Sequence, residues 1–296
     1  MSGKAGKLLS LAGADLSNKT PKGLRHVFKK VLKKGMHGLC FSLYEEGQEP
    51  GMHISEDQIR RRMKIIKPYT KWVRSFSCTD GNEAIPRIAR EYGIKTLVGA
   101  WLGDDSEINK REIANLIELG KQGYVDIAAV GNEVMYRRDL SEDELLGFMS
   151  EVKEAIPNIP MGYVDAYYEF SNRPRITEAC DVILANCYPY WEGCSIEYSL
   201  LYMKDMYSQA VSAAKGKRVI ISETGWPSLG GGVEGAQPSF ENAIKYFINT
   251  QQWSKANEID IFYFSSFDES WKVGSEGDVG AFWGLWDKNE NLKFRT

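Results

Sequence analysis

Two glutamates close apolar runs in this chain, and their neighbours are unlike those of an ordinary surface carboxyl. Glu133 ends the segment Ile127-Ala128-Ala129-Val130-Gly131-Asn132-Glu133, and Glu223 follows Val219-Ile220-Ile221-Ser222 and precedes Thr224-Gly225-Trp226-Pro227-Ser228. Each run reads as a buried strand, so each carboxyl marks the point where a strand meets its outgoing loop. Two carboxyl groups facing one another are the equipment for breaking a glycosidic bond: one protonates the leaving oxygen while the other attacks the anomeric carbon or activates water. Their separation would set the stereochemistry, about 5 to 5.5 Å for retention and about 6.5 to 9.5 Å for inversion. A single glutamate at a strand end more commonly caps a loop or pairs with a cation. Two in matching positions shift the balance towards catalysis.

Something must bring residues so far apart in sequence to one place. Strand-like segments recur at residues 39–43, 72–76, 96–101, 127–130, 161–164, 182–186, 219–222 and 261–264, with amphipathic stretches between them. Eight strands alternating with crossover helices predict a closed (β/α)8 barrel, whose loops after the strands converge on one rim. Ser55-x-x-Gln58 and Ser141-x-x-Glu144 read as capping boxes, the first before Ile59, Met63 and Ile66 and the second before Leu145, Met149, Val152 and Ile156. Pro238-Ser239 opens a further helix, and Pro174 makes the fifth connection the least regular. No long helix is expected after the eighth strand. Residues 22–33 form a basic amphipathic segment with Leu24, Val27, Phe28 and Val31 on one face, read as a helix packing on the barrel. No linker or repeat divides the chain, so residues 1–296 are expected as one catalytic domain, with residues 1–35 an N-terminal extension.

The strings Val130-Gly131-Asn132-Glu133-Val134 and Ile221-Ser222-Glu223-Thr224-Gly225-Trp226-Pro227-Ser228 resemble the two signatures of glycoside hydrolase family 17, the β-1,3-glucanases and β-1,3-glucanosyltransferases. The similarity, to single-domain bacterial or fungal members, continues through Asn186-Cys187-Tyr188-Pro189-Tyr190, Phe267-Asp268-Glu269-Ser270-Trp271-Lys272 and Trp283-Gly284-Leu285, spanning residues 36–288. It implies a barrel enzyme that cleaves β-1,3-glucan with retention by double displacement, or transfers the cut chain to another sugar. Glu133 then corresponds to the acid/base and Glu223 to the nucleophile. Asn132 is similar to the residue that bonds the sugar 2-hydroxyl, and Glu269 and Lys272 match further charged residues of the eighth loop. Tyr188 is expected to donate its hydroxyl to Glu223.

A polysaccharide cleft also needs flat apolar rings for sugar C–H faces and polar groups for their hydroxyls. Tyr44, Trp101, Tyr190, Trp226 and Trp271 are candidates for the first task, and Arg74, Asp165 and Asn186 for the second. The formal charge of -3 gives no surplus of positive charge for nucleic acid. No apolar run is long enough to enter a membrane. The five cysteines have no C-x-x-C spacing, and His26, His37 and His53 lack metal-ligand spacing, so buried thiols, no metal and no cofactor are expected. Gly230-Gly231-Gly232 reads as a flexible loop over the cleft. The run at residues 8–13 is soon broken by Asp15 and Lys19, unlike a secretory signal; this suits a cytosolic chain or an exported one that has lost its leader. The partner expected is β-glucan or its oligosaccharides, bound by a monomer.

Overall fold

The computed structural model describes residues 13, 14, 16 and 18–294; the apolar run at 8–12, Asp15 and the first part of the N-terminal extension lie outside them. Eight parallel strands form a closed barrel in sequence order: β1 (Met36–Cys40), β2 (Thr70–Ser75), β3 (Lys95–Ala100), β4 (Ile127–Asn132), β5 (Met161–Ala166), β6 (Val182–Asn186), β7 (Arg218–Thr224) and β8 (Ile261–Tyr263). Most of their residues are buried, as expected of a parallel sheet covered by helices outside and filled by side chains within.

β1 lies three residues earlier than its apolar run suggests. Met36 already pairs with Thr70, whereas Ser42 has left the ladder and donates its N–H to Ser266 Oγ at 2.8 Å. The helix Glu142–Ala155 begins with a full capping box between Ser141 and Glu144 and buries Leu145, Met149 and Val152. The helix Glu56–Ile66 has only half of its expected box. Ser55 accepts from the Gln58 N–H, but the Gln58 side chain turns inward and donates to Leu43 O at 2.8 Å, where a buried carbonyl needs a partner. The fifth connection is two short helices, Glu169–Asn172 and Pro174–Ala179, with proline at the first position of the second. Among the described residues, the helices that follow β8 are brief turns.

The basic helix Pro21–Lys33 packs on Phe240–Ala256, with Phe28 and Phe247 rings 4.9 Å apart. Gly230–Gly232 is a pinned crossing rather than a flexible flap: the Gly231 N–H donates to Asp278 at 3.0 Å and Gly231 O accepts from Tyr190 OH at 2.7 Å. The five cysteines are free, four of them buried. No helix among the described residues is long and apolar enough to cross a membrane.

Candidate active site

Register shifts put an extra residue near the ends of β4 and β7, the two strands that deliver the glutamates. Pairing shifts between Ala129 and Asn132 on β4, between Ala185 and Asn186 on β6, and between Ile221 and Thr224 on β7. A bulge adds a residue to one strand and re-aims the side chains beyond it, which lets successive polar groups turn into the barrel mouth. Gly131, at φ +82°, makes the turn before Glu133, and Glu133 itself is left-handed at φ 51°. Its N–H is held by Val164 O at 2.8 Å. Gly225 is required for a different reason, since a Cβ there would collide with the carbonyl oxygen of Phe264, the residue that follows β8.

Glu133 and Glu223 meet over one amide. Asn186 Nδ2 donates to Glu133 Oε1 at 2.9 Å and to Glu223 Oε1 at 3.2 Å, so those oxygens lie no further apart than the sum, about 6.1 Å. Acceptors along the two N–H bonds of a planar amide, which diverge by about 120°, would be about 5.3 Å apart. Ser222 fixes the orientation of that amide, its hydroxyl donating to Asn186 Oδ1 at 2.8 Å. Glu223 also accepts from Tyr188 OH at 2.8 Å and pairs with the buried Arg74 guanidinium. Arg74 reaches Asn132 Oδ1 at 2.6 Å with its other terminal nitrogen. Beside them the buried pair Lys272–Glu269 closes at 2.8 Å, with Glu269 also accepting the Tyr44 N–H at 2.9 Å.

Two carboxyls so close cannot both ionise as they would in water. Burial first, and the Glu223 charge second, push Glu133 up to about 7. Glu133 therefore keeps its proton to higher pH than an ordinary carboxyl, while Glu223 faces a guanidinium and two neutral donors. An acid beside a carboxylate, over a rim open to solvent, can protonate a leaving oxygen on one side and attack carbon on the other.

Comparison with known proteins agrees with this geometry. The family model for the BtgE/BtgC glycoside hydrolase domain matches residues 38–284. A crystal structure of the glycoside hydrolase family 17 β-1,3-glucanosyltransferase from Rhizomucor miehei is 30% identical, with a TM-score of 0.79 over 88% of this chain and 96% of that one. The chain belongs to glycoside hydrolase family 17. A glucan 1,3-β-glucosidase of Arthroderma benhamiae is 30% identical over 254 residues, 78% of this chain and 81% of that protein. Its counterpart in Saccharomyces cerevisiae is 27% identical over 281 residues, 86% of this chain and 90% of the other.

In this family 17 enzyme the residues read as sugar-binding fall into three groups. Trp101, 39% exposed, stands at the rim under the Arg137 guanidinium at 4.6 Å, and Trp271 is half-buried beside Tyr44 and Lys272. Arg74 and Asn186 are at the site, but the terminal nitrogens of Arg74 and the amide of Asn186 are taken up by Glu223, Glu133, Asn132 and Ser222, so they organise the carboxylates rather than meet a sugar first. Tyr190, Trp226 and Asp165 are corrections: at 0%, 1% and 0% exposure none can touch a ligand. Tyr190 and Trp226 pack on each other at 5.3 Å behind the rim, and the Trp226 N–H is used by Gln237 O. Tyr44, also buried, presents an edge to Trp271, and its OH accepts from Asn82 at 3.4 Å.

Sequence reading missed Ser222, Glu276 and the Trp283 ring. Trp283 packs on Tyr188 at 5.6 Å and Phe264 at 5.7 Å, walling the site. Glu276 feels Lys272, Glu223 and Glu269, and burial pushes its carboxyl above the usual range. Its i,i+4 spacing from Lys272 was the available signal.

Proposed function

We propose that this enzyme cleaves β-1,3-glucosidic bonds of β-glucan with retention, with Glu223 as nucleophile and Glu133 as acid/base. The observation that carries the reading is the shared Asn186 amide, which brings one oxygen of each carboxyl within about 6.1 Å of the other, closer than the span of about 6.5 Å or more that an inverting pair leaves for water. Glu223 forms a bond to the anomeric carbon as the glycosidic oxygen takes the Glu133 proton and leaves as an alcohol. Asn132, held by Arg74, lies beside the acid to bond the neighbouring hydroxyl of the sugar. Esterification removes the Glu223 charge, and with it one of the causes that raised Glu133, leaving burial and the weaker influence of Asp165. Glu133, now a stronger acid, has given up its proton and serves as base. An incoming O–H loses its proton to Glu133, bonds the anomeric carbon and frees Glu223. Each step is a proton transfer or a displacement at carbon, so the residues named complete it without a cofactor.

Water as the incoming group gives hydrolysis, and a sugar hydroxyl gives transfer. The second outcome is supported by the Rhizomucor miehei relative, which is a β-1,3-glucanosyltransferase. Incubation with linear β-1,3-gluco-oligosaccharides, followed by mass and early-time NMR, tests both levels of the reading. Retained β-anomers are expected, with products longer than the starting sugar if transfer competes. First-formed α-anomers, or no cleavage of the β-1,3 series, would overturn it.

A further inference from the structure

We infer that Tyr163 and Asp165 of β5 form a positioning dyad that fixes the Glu133 carboxyl by gripping the backbone amides that follow it. The inference rests on the acid/base role proposed for Glu133. Glu133 precedes the single helical turn Val134–Arg137, and no local side chain caps it. The first amides of a helical turn have no carbonyl partner of their own and need acceptors from elsewhere. Those acceptors come from the next strand. Tyr163 Oη accepts the Met135 N–H at 2.8 Å and donates its own proton to Asp165 Oδ2, which also accepts the Tyr136 N–H at 3.4 Å. Asp165 Oδ1 is anchored by the Ala166 N–H at 2.7 Å. The two side chains are two residues apart on one strand and so share a face. They are 1% and 0% exposed, so neither reaches a sugar.

The turn is held from its other side as well. Arg137 donates to Asn132 O at 2.7 Å and Leu102 O at 3.2 Å and pairs with Asp139 at 2.7 Å. Left-handed backbone at a glutamate persists only where its surroundings hold it, and a small displacement of an acid relative to a leaving oxygen is costly in rate. The charged groups that face Glu133 are Glu223 from β7, Asp165 from β5 and Arg137 from its own turn. Asp165 in turn faces Glu169, which is paired with Arg173 at 2.8 Å. The Asp165 charge favours the protonated Glu133, so the dyad acts on the proton as well as on the position of the group.

Two variants test this. Tyr163→Phe keeps the ring and removes the hydroxyl between Met135 and Asp165. Its turnover of β-1,3-gluco-oligosaccharides is expected to fall about tenfold or more, because the leaving alkoxide needs the acid. Its first-step rate on a dinitrophenyl β-glycoside, whose leaving group needs no proton, stays within about threefold of the parent enzyme. Azide, a nucleophile that needs no base, should restore second-step turnover and yield the β-glycosyl azide. Equal losses on both substrates, or no loss on either, would overturn the dyad. Asp165→Asn retains an acceptor for Tyr163 and removes the charge, so the alkaline limb of kcat/KM should move to lower pH; an unmoved limb also counts against the inference. Glu133→Gln run in parallel separates the two levels, since its failure to discriminate between the leaving groups would refute the acid/base role itself.

Discussion

Replacing Glu133 by glutamine should make the protein more stable at pH 8 and leave its stability nearly unchanged at pH 4. The native state raises this carboxyl from an ordinary 4.5 to about 7, by burial and then by the Glu223 charge. A carboxyl whose pKa is higher in the folded than in the unfolded chain opposes folding once it ionises. The penalty is absent below about pH 4, grows between 4.5 and 7, and is complete above 7. With about 1.4 kcal/mol for each pH unit between the two values, the penalty at pH 8 is about 3 kcal/mol. Glutamine is close in shape, and its Oε1 can still accept the Asn186 N–H that Glu133 accepts at 2.9 Å, so the variant removes the charge without stranding a donor. Urea denaturation of both proteins at the two pH values, monitored by tryptophan fluorescence, measures the difference. A gain of a few kcal/mol confined to pH 8, in a variant that no longer cleaves glucan, is the expected result. Equal effects at both pH values, or destabilisation at pH 8, would refute the reasoning that a buried proton is held for catalysis.

The same proton sets the pH range of activity: kcat/KM should fall on the alkaline side with a midpoint near 7, measured on a soluble β-1,3-gluco-oligosaccharide. Ser222→Ala frees the Asn186 amide that Ser222 now orients at 2.8 Å, and kcat should drop about tenfold with KM little changed. Steady-state kinetics decide the point, and a change confined to KM would contradict the orienting role.

The strands were legible because their residues are buried on both faces, and continuous runs such as Val219-Ile220-Ile221 have few other readings. The rim position of the two glutamates followed from the same runs, and the Ser-Glu-Thr-Gly-Trp-Pro-Ser string is specific enough to indicate a family. Roles one layer away were harder to read. Arg74, Asn186 and Asp165 all sit at the ends of strands, but a polar side chain there looks the same in sequence whether it faces a ligand or another side chain. The extra residues on β4 before Asn132 and on β7 around Glu223 and Thr224 break the two-residue alternation that would have assigned faces there. Trp226 illustrates the same limit for aromatics, since ring type records the capacity to stack on a sugar and says nothing of whether Tyr190 and Tyr246 already cover it. The two boxes show it for helix starts: Glu144 was free to return to Ser141, and Gln58 was drawn away by a buried carbonyl.

The proposed retaining mechanism requires Glu223 to become covalently bound to sugar. A laminaribiosyl fluoride carrying a second fluorine beside the anomeric carbon slows breakdown of such an ester, and peptide mapping by mass spectrometry locates it. The added disaccharide should appear on the peptide containing Ser222-Glu223-Thr224 and be absent from Glu223→Gln. Labelling at Glu133 or at any other residue, or rapid release of an α-configured sugar with no labelled peptide, would contradict the mechanism.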